Sequence, residues 1–67
     1  MEMLPNPNKR VNYIVCRDNK RAAVPALDGT SLGYFWNQIR SYYLPGQIVT
    51  IIDNYGNSQT FIRGVRG

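Results

Sequence analysis

The sequence predicts an α+β domain of order ββαββ, with a four-stranded, mainly antiparallel sheet (strand order 2-1-3-4) and one helix packed on one face. Three observations lead there. Two β-rich runs flank Asp18-Asn19-Lys20, a central stretch carries apolar side chains at helical spacing, and a second β-rich pair flanks Asn54-Tyr55-Gly56-Asn57.

Residues 1–10 hold two prolines and three asparagines and end in Lys9-Arg10, which reads as a flexible arm. Residues 11–67 then form a single small domain, with no repeat and no second linker. Residues 11–17 (Val-Asn-Tyr-Ile-Val-Cys-Arg) are rich in β-branched and aromatic side chains and read as the first strand. Residues 21–27 return as the second, after a loop of either Asp18-Asn19 or Asn19-Lys20. Both registers put Val11, Tyr13 and Val15 on the face of Ala22, Val24 and Ala26, because they differ by an even step.

Thr30 or Ser31 can cap the helix that follows. Leu32, Phe35, Trp36, Ile39 and Tyr43 fall on one stripe, with Asn37, Gln38, Arg40 and Ser41 on the rest of the surface. The helix is expected to run to Leu44, where Pro45 stops it and Gly46 re-aims the chain. Residues 47–53 are the strongest strand pattern, and residues 58–65 make the fourth strand. Order 1-2-3-4 would place Pro25 in a central strand, where it removes a ladder donor. Order 2-1-3-4 moves Pro25 to an edge and makes every neighbour antiparallel.

Sixty-seven residues bury about 60% of their unfolded surface, a small margin unless a disulfide, a metal or a partner adds to it. Cys16 is the only cysteine and there is no histidine. Glu2, Asp18, Asp28 and Asp53 are scattered, without the spacing of a metal loop. No base poised near neutral pH accompanies Cys16 or a serine. The expectation is a non-enzymatic chain with no cofactor, no metal, no catalytic residue and no small-molecule substrate. Gly29, Gly33 and Gly46 form no phosphate-cradling pattern, and no zinc-finger or RNA-recognition signature is present. The start of the chain lacks the features of a signal peptide, and no apolar run is long enough to span a membrane. With a lone thiol, these features make a cytoplasmic location the expectation.

The net charge of +4 and pI near 9.6 favour acidic partners, protein or nucleic acid. Pairing Asp53 with Ser58 would put Val49, Ile51, Thr60 and Ile62 on one face of the sheet, and Ile48, Ile52, Phe61 and Val65 on the other. A single helix covers only one face. The leading expectation is therefore a protein-interaction module (an adaptor, inhibitor or assembly factor) that binds an acidic protein or a second copy of itself. Its contact candidates are Ile48, Ile52 and Phe61, with Arg63 beside them. The alternative is a nucleic-acid binder using Lys9, Arg10, Arg17, Lys20 and Arg21. Phe35, Trp36 and Tyr43 are expected in the core, Tyr34 and Tyr42 at its rim, and Cys16 as a small hydrophobe.

Val24-Pro25, a helix, and then Gly46-Gln47-Ile48-Val49-Thr50-Ile51 resemble the closing half of the small linker domains of cyanobacterial phycobilisomes. The resemblance covers about half the chain through generic positions; their longer intervening segment is missing and a terminal hairpin is added. It implies binding to an acidic pigment protein.

Overall fold

In the computed structural model, which describes residues 8–65, strands β1 (Arg10–Arg17) and β2 (Lys20–Leu27) pair antiparallel with Arg17 opposite Lys20. The loop is therefore Asp18-Asn19. Both residues have positive φ, 49° and 66°. That is the backbone of a type I′ turn, whose twist matches the flanking strands, and Asp and Asn are among the few side chains that tolerate it. Val11, Tyr13 and Val15 share a face with Ala26, Val24 and Ala22, as expected. Residues 1–7 of the expected arm lie outside the described residues, and its last residue, Arg10, already pairs with Leu27.

The sheet order is β2-β1-β3-β4 and every neighbouring pair is antiparallel. Pro25 thus stands on an edge. The amide of Asp28 bonds Lys9 O at 2.9 Å, which fixes the alternation of the ladder. Every second β2 residue bonds inward, and Pro25 falls among those facing out, where its missing N–H costs nothing.

Helix α1 (Leu32–Ile39) is capped by Ser31, whose Oγ accepts from the Tyr34 amide at 3.2 Å. Its buried residues are Phe35, Trp36 and Ile39, the centre of the expected stripe. The helix is shorter than expected. Arg40–Tyr42 tightens into a 3-10 turn and Tyr43 is already extended, at φ −119° and ψ 157°. The chain must leave helical geometry before Pro45, whose ring disfavours it at Leu44. Leaving early also lets the Tyr43 ring lie against Trp36, centroids 5.9 Å apart. The Leu44 amide donates to Gln47 Oε1, the Gln47 amide donates to Leu44 O, and Gly46 takes φ +87° to close the turn.

Strands β3 (Ile48–Ile52) and β4 (Ser58–Ile62) complete the sheet, with Ile52 opposite Ser58 and Val49 opposite Phe61. The register expected from pairing Asp53 with Ser58 is corrected by one residue. Asp53 belongs to the loop: its Oδ1 accepts from the amides of Tyr55 and Asn57, each at 2.8 Å, and its Oδ2 accepts from Asn57 Nδ2 at 3.0 Å. A one-residue slip moves every side chain of a strand to the opposite face. Phe61 therefore joins Val49 and Ile51 beneath the helix, and Ile62 moves to the open side. Val65, expected within the last strand, lies beyond it and is exposed.

The core consists of Tyr13, Val15, Phe35, Trp36, Ile39, Val49 and Ile51. Tyr13 and Phe35 meet with ring centroids 4.9 Å apart, and Trp36 stacks on Phe61 at 5.3 Å with the planes 8° apart. The Tyr13 hydroxyl donates to Thr30 O at 2.6 Å, so the one polar atom of the most central ring is satisfied. All of this lies on one side of the sheet.

Candidate protein-binding face

The other side of the sheet has no cover among the described residues. Its rows follow from the three registers. Arg21, Cys16, Thr50 and Thr60 stand side by side across the strands, as do Ala23, Ile14, Ile52 and Ser58. Ile48 and Ile62 form a further pair at one end, and Arg10, Asn12, Pro25 and Leu27 occupy the other. Ile48 keeps 58% of its surface exposed and Ile62 68%. Thr50 and Thr60 share a hydroxyl hydrogen bond of 2.9 Å in the middle of the face. The strand side chains on this face are mostly aliphatic, with a few hydroxyls and no carboxylate.

Cationic groups rim this face. Arg21 stands at its edge near the first turn and Arg10 near the opposite end of the same hairpin. Arg17, Lys20 and Arg21 line an open groove of about 510 Å³ whose remaining lining includes Cys16, Asp18, Ile48 and Thr50. The described carboxylates all have partners. Asp18 pairs with Arg17 at 3.1 Å, Asp53 organises its own loop, and Asp28, buried at 8% exposure, accepts from Tyr55 Oη at 2.7 Å and from Asn54 Nδ2 at 3.2 Å. Lys20 and Arg21 form no ion pair among the described residues.

Of the four contact candidates, the structure leaves Ile48 and Ile52 on the open face and moves two away from it. Phe61 lies on Trp36 and packs against the core. Arg63 is turned to the helix side, where its Nε donates to Arg40 O at 2.8 Å and fastens the 3-10 turn to the end of β4. Sequence reasoning missed Ile14 and Ile62. Ile14 was legible, because it alternates with Tyr13 and Val15 in a strand whose register was already narrowed. Ile62 was not, because the side chains of Asp53 and Asn57 set its register.

The five basic candidates do not make one patch. Arg17 and Lys20 meet at the turn, whereas Arg10 lies opposite Leu27, seven residues and roughly 23 Å along the strand. The Arg17 guanidinium sits over the Tyr43 ring, 5.8 Å from its centroid, which ties it to the core side.

The second hairpin loop sits beside the helix start. Tyr55 Oη donates to Asp28, and that hydrogen bond, followed by the desolvation and charge around it, raises the Tyr55 pKa above its ordinary value of 10.0. Burial, and then the charges of Asp53 and Asp28, do the same for Tyr13. Both phenols are held in their neutral form. Tyr55 braces the second hairpin loop against Asp28, and Tyr13 bonds the helix start at Thr30.

No family model matches this chain, and neither a curated protein nor a solved structure matches it. The resemblance to phycobilisome linker domains gains no support from these comparisons. No helix among the described residues is long and apolar enough to cross a membrane.

Proposed function

We propose that this chain is a non-enzymatic protein-interaction module, and that its partner docks on the open face of the sheet around Ile14, Ile48, Ile52 and Ile62. The observation that supports this reading is the pairing of an aliphatic centre with a mainly cationic rim, whose carboxylate, Asp18, is paired with Arg17. An apolar centre and a polar rim are the anatomy of a protein interface. The rim favours a partner with an acidic border, through attraction that speeds and orients docking.

The nucleic-acid reading has less to stand on. Sheets that bind single strands offer aromatic rings for bases to stack on. Every described aromatic lies elsewhere: Tyr13, Phe35, Trp36, Tyr43 and Phe61 in or against the core, Tyr34 on the helix, Tyr42 in the 3-10 turn, and Tyr55 in a loop. The experiment is affinity capture from the native host with wild type, Ile52→Asp and Arg21→Glu, each with and without nuclease. Ile52→Asp should abolish capture of a specific protein, and Arg21→Glu should weaken it, while circular dichroism stays native. Capture that survives Ile52→Asp would refute the reading. Capture that nuclease removes would favour nucleic acid.

A further inference from the structure

The two edges of the sheet are not alike. β2 is blunted: Pro25 faces outward without a donor, and Lys20 and Arg21 charge its first turn. These are the devices by which natural sheets discourage strand addition. β4 carries none of them. Its sequence from Ser58 to Ile62, Ser-Gln-Thr-Phe-Ile, has no proline and no charge.

The backbone of β4 also points the right way. The Arg63 amide bonds Gln47 O at 2.8 Å, and the Asp53 amide bonds Asn57 O at the same distance. Antiparallel ladders alternate, so Gln59 and Phe61 bond inward to β3 and the N–H and C=O groups of Ser58, Thr60 and Ile62 face outward. Among the described residues no hydrogen bond reaches those groups.

We infer that β4 pairs with β4 of a second copy, antiparallel about a two-fold axis through Thr60. Three features make a second copy the fitting occupant. The edge is neutral, so pairing it with itself sets no like charges opposite one another. Lys20 and Arg21 lie on the other edge strand, roughly 14 Å away across three strand spacings, and Arg10 and Arg17 lie on the strand beside it. Arg63, one residue past β4, is turned to the helix side, so little of the +4 net charge of each copy faces the joint. Centring on Thr60 sets Ser58 against Ile62 of the other copy, twice. It also extends the Thr50–Thr60 hydroxyl bond of 2.9 Å toward its symmetry mate, since each hydroxyl both donates and accepts. The product is a continuous eight-stranded sheet whose two open faces are contiguous. This joint is separate from the docking face: it uses the strand edge, and a failure of either leaves the other standing.

An edge of five residues buries less than a standard interface, so the dimer is weak and reversible. Sedimentation equilibrium from micromolar to millimolar concentration tests it, together with hydrogen exchange at the two extremes. The expected result is a mass that climbs from the chain's 7.7 kDa toward twice that value. Ser58, Thr60 and Ile62 amides should become protected as it climbs. Thr60→Pro applies at this edge the device β2 already carries, and Thr60→Lys sets like charges at the axis. Each should raise the dimer dissociation constant about tenfold or more, and salt should recover part of the loss for the lysine. Ile52→Asp, one strand inward on the open face, should leave dimerisation intact. A monomer at every concentration, or fast exchange of those three amides in the wild-type dimer, overturns the inference whether or not the variants fold. So does a dimer that Ile52→Asp abolishes and Thr60→Lys spares, which would show pairing face to face.

Discussion

Replacing Phe61 by alanine and, separately, Ile62 by alanine should give opposite answers from adjacent positions. Phe61 lies flat on Trp36, with ring centroids 5.3 Å apart and planes 8° apart, and Tyr43 stacks on Trp36 at 5.9 Å. Deleting a fully buried phenylalanine costs about 3–5 kcal/mol, and Phe61 is half-buried, so about 2 kcal/mol is the share from packing. Losing the stacked pair adds about 0.5–1 kcal/mol. The expected total of roughly 2–3 kcal/mol is a large part of the about 3–10 kcal/mol available to a chain this short. Ile62, with 68% of its surface exposed, should cost under about 0.5 kcal/mol. Thermal melts followed by near-ultraviolet circular dichroism read the difference directly. Phe61→Ala should lower the midpoint by about 10–20 °C, and Ile62→Ala by a few degrees at most. A more damaging Ile62→Ala would place Ile62 in the core and Phe61 outside, the ranking that belongs to the other register of the second hairpin.

Trp36, 8% exposed at the centre of the aromatic stack, should show blue-shifted fluorescence, and Trp36→Ala should cost about 3–5 kcal/mol in a denaturant melt. Asp53→Ala removes the acceptor for two loop amides and should cost about 1–3 kcal/mol, with Asp53→Asn intermediate. The pKa values of Tyr13 and Tyr55 are raised in the fold, so the stability they contribute is complete below the unfolded tyrosine pKa of about 10 and is lost as pH rises through their folded values. Alkaline unfolding should follow, with a shallower pH dependence in Tyr13→Phe, measured as melting midpoint against pH.

Much of the fold was legible because single residues carried strong constraints. Pro25 selected the strand order by demanding an edge. The first hairpin's faces survived an unresolved loop because the competing registers differed by an even step. The helix stripe through Phe35, Trp36 and Ile39 was plain from spacing alone. The second hairpin was not legible in the same way. Asp53 ends an unbroken β-rich run and looks like a strand residue, yet its carboxylate organises the loop amides, and that bonding is visible only in three dimensions. The consequence reached the candidate site, placing Phe61 outside and Ile62 inside when the structure has the reverse. The helix end was missed for a related reason: Pro45 marks where a helix must have stopped, while the stacking of Tyr43 on Trp36 decides how much earlier it does.

If a protein partner covers the open face as proposed, the chain's six isoleucines report on it directly. Ile14, Ile48, Ile52 and Ile62 lie on that face, whereas Ile39 and Ile51 are buried beneath the helix. Isoleucine methyl spectra should be recorded for the labelled protein alone and with the partner captured from its native host. Partner binding should shift or broaden the signals of the four outer isoleucines, with Ile39 and Ile51 little changed. Outer signals that stay fixed while the partner is bound would show that the open face is not the docking surface.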